Sequence, residues 1–421
     1  MVVCLYTTDM SKNENLHKAK IEKNDEFYTR YEDIQIELNH YTKHFEGKTV
    51  LCNCDDPFES NFCKFFLRNF NYLKLKRLIC TSYSGSPVAG TQLSLFDYAE
   101  GKETEGHGFV MDVTNIPMKN RRGVSDEDID NLLHSSQHGV KILKGNGSFD
   151  SPECIEYLKI PELIVCTNPP FSRWRDYMSL LFKYDVKFLV LGNTNAITYK
   201  EIFPYIKDNR LWVGYKSMGT DMLFHVTKDF AKYLQQNKKE GSGYKIVDGN
   251  VMGRAQAIWY TNLDIQKRHE KLILYEHYYD NEEMFPKYDN YDAINVDKVA
   301  QIPVDYVPCW FKCPVADCCE YAQQLGMNPD ASDCCKKCNG QIGVPITFMD
   351  KNNEEQFEIV GSDLTLAKPM SDVDPDGIYE KGGPAFYIKD NSNNNASLSL
   401  SLCRNRYKRL YKRIVIRRKK M

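Results

Sequence analysis

Between residues 33 and 191 the chain alternates short apolar runs with stretches of helical periodicity. No other feature constrains the fold as strongly. A short apolar run bounded by turn formers suits a strand buried on both faces, and strands alternating with amphipathic helices build a parallel sheet. The runs are Thr49-Val-Leu-Cys-Asn-Cys54, Leu78-Ile-Cys-Thr81, Gly108-Phe-Val-Met-Asp112, Leu163-Ile-Val-Cys166 and Val186 to Leu191. Ile34, Leu38, Tyr41 and Phe45 line one face of a helix expected over 33–45, which Gly47 ends. Phe62, Phe65, Phe66, Phe70 and Leu73 line a second helix. Trp174, Tyr177, Met178, Leu181 and Phe182 fit the i, i+3, i+4, i+7, i+8 pattern of a third without a miss. The expectation is a doubly wound α/β sheet, completed by short strands near 211–214, 222–226 and 255–261. Residues 83–107 and 119–152, rich in Gly, Ser and charge, read as loops or insertions.

The rhythm is lost after about residue 265. Strand-like pieces return at Val344-Pro-Ile-Thr-Phe348 and Phe357-Glu-Ile-Val360, which predicts a second, irregular α+β domain. A length of 421 residues suits two to three domains. The division read from these shifts is a mobile N-terminus over 1–22, a first domain over 23–265 and a second region over 266–421. No apolar run approaches the roughly 18 residues of a membrane span, and the N-terminal residues lack the flanks of a signal peptide. A cytoplasmic protein with no membrane partner is expected.

The sharpest chemical signal is Asn168-Pro169-Pro170-Phe171, which follows an apolar strand and precedes the third helix. In an open α/β sheet, ligands bind at the carboxyl ends of the strands. The prolines fix the backbone and leave carbonyl acceptors, Asn168 adds a side-chain acceptor, and Phe171 offers a flat face. Such a set suits a planar ring bearing an exocyclic amine. Two acceptors take its two hydrogens, the aromatic stacks on the ring, and the nitrogen lone pair turns toward an electrophile. Asp55-Asp56-Pro57-Phe58-Glu59-Ser60-Asn61 follows the first strand, where such a sheet binds a cofactor. Ser60 and Asn61 stand where a Gly-rich turn is usual, and a helix N-cap is the plain alternative. Asp112 ends the third run, where it either contacts a cofactor or caps.

Two further clusters stand out. Seven of the 15 Cys lie between 309 and 338, and Cys335-Lys-Lys-Cys338-Asn-Gly340 has the spacing of a zinc knuckle. Paired with Cys313 and with Cys318 or Cys319, Cys335 and Cys338 would close a structural four-sulfur zinc site in a Cys-rich insertion. Residues 404–421 hold ten Lys and Arg and no acid, although the whole chain carries a net charge of −2. A basic tail on an acidic body points to a polyanion, with Arg413, Arg417 and Arg418 as candidate DNA-phosphate contacts. A solvated terminal strand or helix is the equal alternative.

These stretches together resemble the EcoRI-type adenine-N6 DNA methyltransferases. The resemblance rests on Asn24-Asp-Glu-Phe-Tyr-Thr29, Asn53-Cys-Asp-Asp-Pro-Phe-Glu-Ser-Asn-Phe62, Thr167-Asn-Pro-Pro-Phe171 and Trp259-Tyr-Thr-Asn-Leu-Asp264 with Lys267-Arg-His-Glu-Lys271. It extends to Gly343-Val-Pro-Ile-Thr-Phe348 and Glu355-Gln-Phe-Glu-Ile-Val-Gly361. It implies a Rossmann-like methyltransferase sheet, S-adenosylmethionine as cofactor and adenine in double-stranded DNA as substrate. It also implies a bacterial or phage origin and a paired restriction endonuclease. By position, Phe27, Tyr28 and Thr29 would meet the methionine end, Asp55, Asp56, Pro57 and Phe58 would form the cofactor turn, and Asn168 to Phe171 the base pocket. The Cys cluster looks like an insertion that the resemblance does not cover. Two other classes stand beside this reading. One is an amino-methyltransferase acting on cytosine N4 or protein glutamine. The other is a DNA-binding module that has lost catalysis.

Overall fold

In the computed structural model the described residues are 28–84, 106–116, 124–133, 140–279, 281–307, 340–390 and 404–419. The chain divides into two compact units, Met1–Thr194 with Val213–Leu263 and Asn195–Trp212 with Asp264–Met421. Phe27 and the whole Cys309 to Cys338 cluster lie outside the described residues, as does the expected mobile N-terminus.

The first unit is built on an eight-stranded mixed sheet. Its strands are β2 (Thr49–Cys52), β3 (Arg77–Ser82), β4 (Phe109–Val113), β5 (Val140–Ile142), β6 (Leu163–Thr167), β7 (Lys187–Asn193), β8 (Trp212–Val213) and β12 (Ala257–Thr261). They lie in the order β5-β4-β3-β2-β6-β7-β12-β8. β3, β2, β6 and β7 run parallel. Every residue of β2 and β6 is buried, as continuous apolar runs in a covered parallel sheet require. Outside this block, β4 runs antiparallel to β3, β5 to β4, and β12 to β7. The sheet is therefore mixed α/β, not uniformly parallel.

Helices follow the apolar periodicity. α1 (Tyr31–Leu38) buries Ile34 and Leu38, then tightens into a 3-10 turn and a last short turn ending at Phe45. The single helix expected over 33–45 is thus three short pieces. α2 (Asn61–Asn69) starts at Ser60, whose hydroxyl accepts from the Phe62 N–H, and buries Phe62, Phe65 and Phe66. α3 (Asp126–Leu133) and β5 fall inside 119–152, which read as loop. Ile129, Leu132 and Leu133 supply a buried stripe too short to stand out among the acids around it. α4 (Trp174–Lys183) buries Trp174, Tyr177, Met178 and Leu181, as the periodicity predicts.

A second sheet in this unit joins β1 (Tyr28–Thr29), β9 (Met222–His225), β11 (Asn250–Ala255) and β10 (Tyr244–Val247), all antiparallel, with α5 (Lys228–Asn237) between β9 and β10. The strand expected near 222–226 therefore belongs here and does not extend the main sheet.

The second unit carries β13 (Ile294–Asn295), β14 (Ile342–Pro345), β15 (Phe357–Ser362) and β19 (Arg413–Arg418) in the order β13-β14-β19-β15. A smaller sheet orders β16 (Ile378–Tyr379), β18 (Arg406–Arg409) and β17 (Tyr387–Lys389). The strand expected over 344–348 ends at Pro345 and turns into 3-10 helix. Ile414, Val415 and Ile416 of β19 are fully buried between β14 and β15. Tyr288 stacks on Phe386 with ring centroids 4.4 Å apart in the adjoining core.

Candidate active site

β2 and β6 are parallel neighbours, so the segments leaving their carboxyl ends emerge side by side. The Asp55 carboxyl accepts from the Ser60 hydroxyl at 2.6 Å, from the Thr167 hydroxyl, and from the Asn168 backbone N–H. One buried side chain thereby ties the turn after β2 to the Asn-Pro-Pro-Phe segment after β6. Burial pushes the Asp55 carboxyl up to about 8, because desolvation outweighs these three hydrogen bonds. Its backbone is held too: Asp55 N–H donates to the Thr81 carbonyl at 3.2 Å, and the Cys63 thiol points at the Asp55 carbonyl.

Asp56 organises the turn itself. Its Oδ1 accepts from the backbone N–H groups of Phe58 at 2.9 Å and Glu59 at 3.2 Å. Its Oδ2 is buried with no hydrogen-bond partner among the described residues, and burial raises the carboxyl. Pro57 and Phe58 are buried beside it. Asn61 donates to the Thr29 carbonyl at 2.8 Å, which brings β1 to the same place. The Thr29 hydroxyl is buried and likewise without a partner. Buried polar atoms are nearly always hydrogen-bonded, so two such atoms around one turn are where the polar groups of a ligand belong. That donor and acceptor set fits the amino-acid end of S-adenosylmethionine.

Phe171 meets Phe224 edge to face at 6.4 Å, and Phe224 sits opposite Thr29 in the β9–β1 ladder. Segments 28–29, 55–61 and 168–171 thus form one connected site. The Pro170 carbonyl accepts the Arg173 N–H at 3.0 Å, so of the two proline carbonyls expected to be free acceptors, this one is engaged. The start of α4 is fixed on its other sides. Arg173 pairs with Asp150 at 2.6 Å and lies over the Phe149 ring. Trp174 donates to the Leu191 carbonyl at 2.7 Å and lies against Gly192, where any Cβ would come within 2.4 Å of the indole nitrogen. The Tyr177 hydroxyl donates to Asn53 at 2.5 Å.

Two groups of candidate residues are placed elsewhere. The Asp112 carboxylate forms a two-point bond with Arg77, at the amino-terminal edge of β3. The antiparallel direction of β4 puts it there, away from the cofactor turn. Arg413, Arg417 and Arg418, singled out as phosphate contacts, are instead bonded to protein. Arg413 is buried and donates to Asn295, Asp297 and the Tyr411 carbonyl. Arg417 pairs with Glu358 at 2.9 Å, and Arg418 donates to the Val304 carbonyl. The correction has a simple cause: these residues flank the apolar Ile414-Val415-Ile416 of a strand paired on both sides.

The sequence reading gave no role to Thr167 or Phe224. A hydroxyl ending a fully apolar strand was a signal for Thr167. Nothing local marked Phe224, which reaches the site only through strand pairing.

The family model described as adenine-specific methyltransferase EcoRI matches residues 15–316 and 329–419. Among curated proteins, the type II methyltransferase M.EcoRI of Escherichia coli is 38% identical over 348 residues, covering 83% of this chain and 89% of that protein. M.MpnI of Mycoplasma pneumoniae is 34% identical, covering 85% of this chain and 88% of its own length. M.MgeORF184P of Mycoplasma genitalium is 33% identical, with 86% and 89% covered. No solved structure matches. With the family matched along almost the whole length and the motif segments joined in one site, the chain belongs to the EcoRI family of adenine-specific methyltransferases.

Proposed function

We propose that Asn168, Pro169, Pro170 and Phe171 form the pocket in which this adenine-specific DNA methyltransferase methylates N6 of an adenine flipped out of double-stranded DNA. We assign Tyr28, Thr29, Asp55, Asp56, Pro57 and Phe58, with Phe27, to S-adenosylmethionine. The observation that carries the reading is the Asp55 carboxyl, bonded at once to Ser60 of the turn and to Thr167 and Asn168 of the pocket segment. The architecture around it is the Rossmann-like methyltransferase sheet, with antiparallel strands at its margins.

S-adenosylmethionine, when bound, supplies an electrophilic methyl group on a sulfonium. The chain's own residues position and exclude. A base inside a duplex cannot reach such a pocket, so it must be extruded at a cost of a few kcal/mol. Phe171 returns part of that cost by stacking, worth about 1–3 kcal/mol per base. The Asn168 side-chain carbonyl and the Pro169 carbonyl take the two amine hydrogens and turn the N6 lone pair toward the methyl group. S-adenosylmethionine held beside Thr29 and Asp56 would supply the methyl group and keep the carbon–sulfur electron pair, and the amine proton displaced at N6 would pass to water. The work is orientation and removal of water, which can supply a large part of the rate gain without a nucleophilic side chain.

Residues 23–265 hold every one of these groups. The reading gives catalysis to that stretch and target recognition to 266–421, and makes this chain the modification half of a system whose other half is a restriction endonuclease. A structural zinc on Cys313, Cys318, Cys335 and Cys338 rests on their spacing alone, and elemental analysis of protein purified without chelator tests it. The activity is tested by incubating purified protein with plasmid DNA and labelled S-adenosylmethionine, then mapping the modified base. Label on adenine at one short sequence is the expected result. Label on cytosine, or none on DNA while the cofactor binds, would sink it.

A further inference from the structure

We propose that the β10–β11 hairpin is a finger that enters a DNA groove beside the target adenine, with Ile246 and Val247 packing against the bases left behind. The inference rests on the DNA-adenine reading above. It concerns a segment outside the pocket and outside the cofactor turn.

The hairpin is coupled to the pocket by strand pairing. Phe224, whose ring meets Phe171, lies opposite Gly253 of β11, and Gly253 lies opposite Tyr244 of β10. Two strand spacings put Tyr244 roughly 10 Å across from Phe224, and three residues of rise carry Val247 about another 10 Å along. β9 ends at His225, opposite Met252, so the last two residues of each ribbon strand run past β9, while α5 packs against β11. Asp248 at φ 48° and Gly249 at φ 77° close it as a tight two-residue turn. A two-stranded ribbon of that width is one of the shapes the major groove admits.

The chemistry of the tip is unusual for a solvent-facing loop. Tyr244, at the base, is buried, whereas Ile246 is 48% and Val247 36% exposed on opposite faces of the ribbon. Both side chains stand at the end of the ribbon, where a partner meeting the tip would cover them. The other tip groups say which partner. Lys238 and Lys245 are exposed beside the ribbon and can meet phosphates. Asp248 and Asn250 carry acceptors that suit amino groups at base edges. Apolar side chains pressed into a disturbed base step are a known way to hold a duplex open, and an extruded adenine leaves such a step.

The test uses the intact enzyme and an oligonucleotide duplex carrying the site that wild-type protein methylates. A second duplex carries a mismatch opposite the target adenine, so that its pairing is already broken. The variant is Ile246→Ala combined with Val247→Ala. Binding of labelled S-adenosylmethionine should stay within about twofold of wild type. Methylation of the paired duplex should fall by about tenfold or more, while the mismatched duplex should lose less than about threefold. Unchanged methylation of the paired duplex, equal losses on both duplexes, or a loss of cofactor binding would each overturn the proposal. Lys245→Ala should lower the salt dependence of DNA binding by about one phosphate contact; an unaltered slope would remove the lysine from the interface. A wild-type enzyme that binds cofactor but leaves adenine unmethylated overturns the activity reading and this inference with it.

Discussion

The carboxyl ends of β2 and β6 and the strand β19 were both conspicuous in sequence for their polar residues, and the fold treats them in opposite ways. Around the turn after β2, the Oδ2 of Asp56 and the hydroxyl of Thr29 are buried with no partner among the described residues. In β19, Arg413, Arg417 and Arg418 all meet protein acceptors. The first region leaves buried polar atoms unmatched by the described residues, and the second matches its cations to protein acceptors. What separates them is the balance of donors and acceptors around each group, which a count of charged residues does not contain.

That contrast is sharpest at Asn168. Asn168→Ala should reduce methyl transfer below about a tenth of wild type, more than about 1.4 kcal/mol of transition-state stabilisation. Cofactor binding and thermal stability should be retained. Near-normal turnover would break the assignment of the pocket.

Arg413→Ala should act on stability instead. It removes a buried cation with three protein acceptors, and a loss of about 2–3 kcal/mol is expected in denaturant unfolding. The salt dependence of DNA affinity should not change. A smaller slope with intact stability would return this arginine to the DNA.

Asp55 gives the comparison a pH signature. A carboxyl raised from 3.8 to about 8 binds more protons folded than unfolded between those values. Its contribution to stability is complete below about pH 4 and is lost as pH rises through about 8, opposite to a salt-bridged carboxylate. The melting temperature of cofactor-free protein should fall between pH 6 and 9 through this group, and Asp55→Asn should flatten that fall. An unaltered profile would show that Asp55 is ionised at neutral pH.

The smallest effect belongs to Arg417. Its pair with Glu358 is partly exposed, so Arg417→Ala should cost less than about 1 kcal/mol in the same unfolding measurement. A drop of about 0.9 in the salt slope of DNA binding would instead reveal a phosphate contact and erase the contrast.

Much of the catalytic unit was legible because its strands are short apolar runs and its helices keep a strict stripe. Trp174 to Leu181 is the clearest case. Strand direction was not legible: nothing in Phe109 to Val113 says that β4 runs against β3, and the placement of Asp112 followed from that. α3 hid because its three apolar residues sit among five acids and amides of the same eight-residue stretch. β19 hid for the converse reason, since Ile414 to Ile416 is a three-residue core run framed by cations. Within the site the motifs announced themselves, but the links between them did not. Thr167 to Asp55, Asn61 to Thr29 and Phe171 to Phe224 are all made between separate elements, by residues far apart in the chain.

The pairing of β2 with β6, Thr49 beside Leu163 and Leu51 beside Val165, has a consequence for how such a chain can vary. The turn and the pocket face each other because two strands are in register, and the hundred or so residues between them do not set that distance. Lengthening the excursion through β3, β4 and β5 adds little closure entropy, since that term grows only with the logarithm of loop length. Insertions, deletions or even a break in the connection after β3 leave the two half-sites where they are. A single-residue slip at the end of β2 or β6 would not, because it would turn every side chain of that strand to the other face. Evolution can therefore edit length freely in one part of this enzyme and hardly at all in nine residues of another.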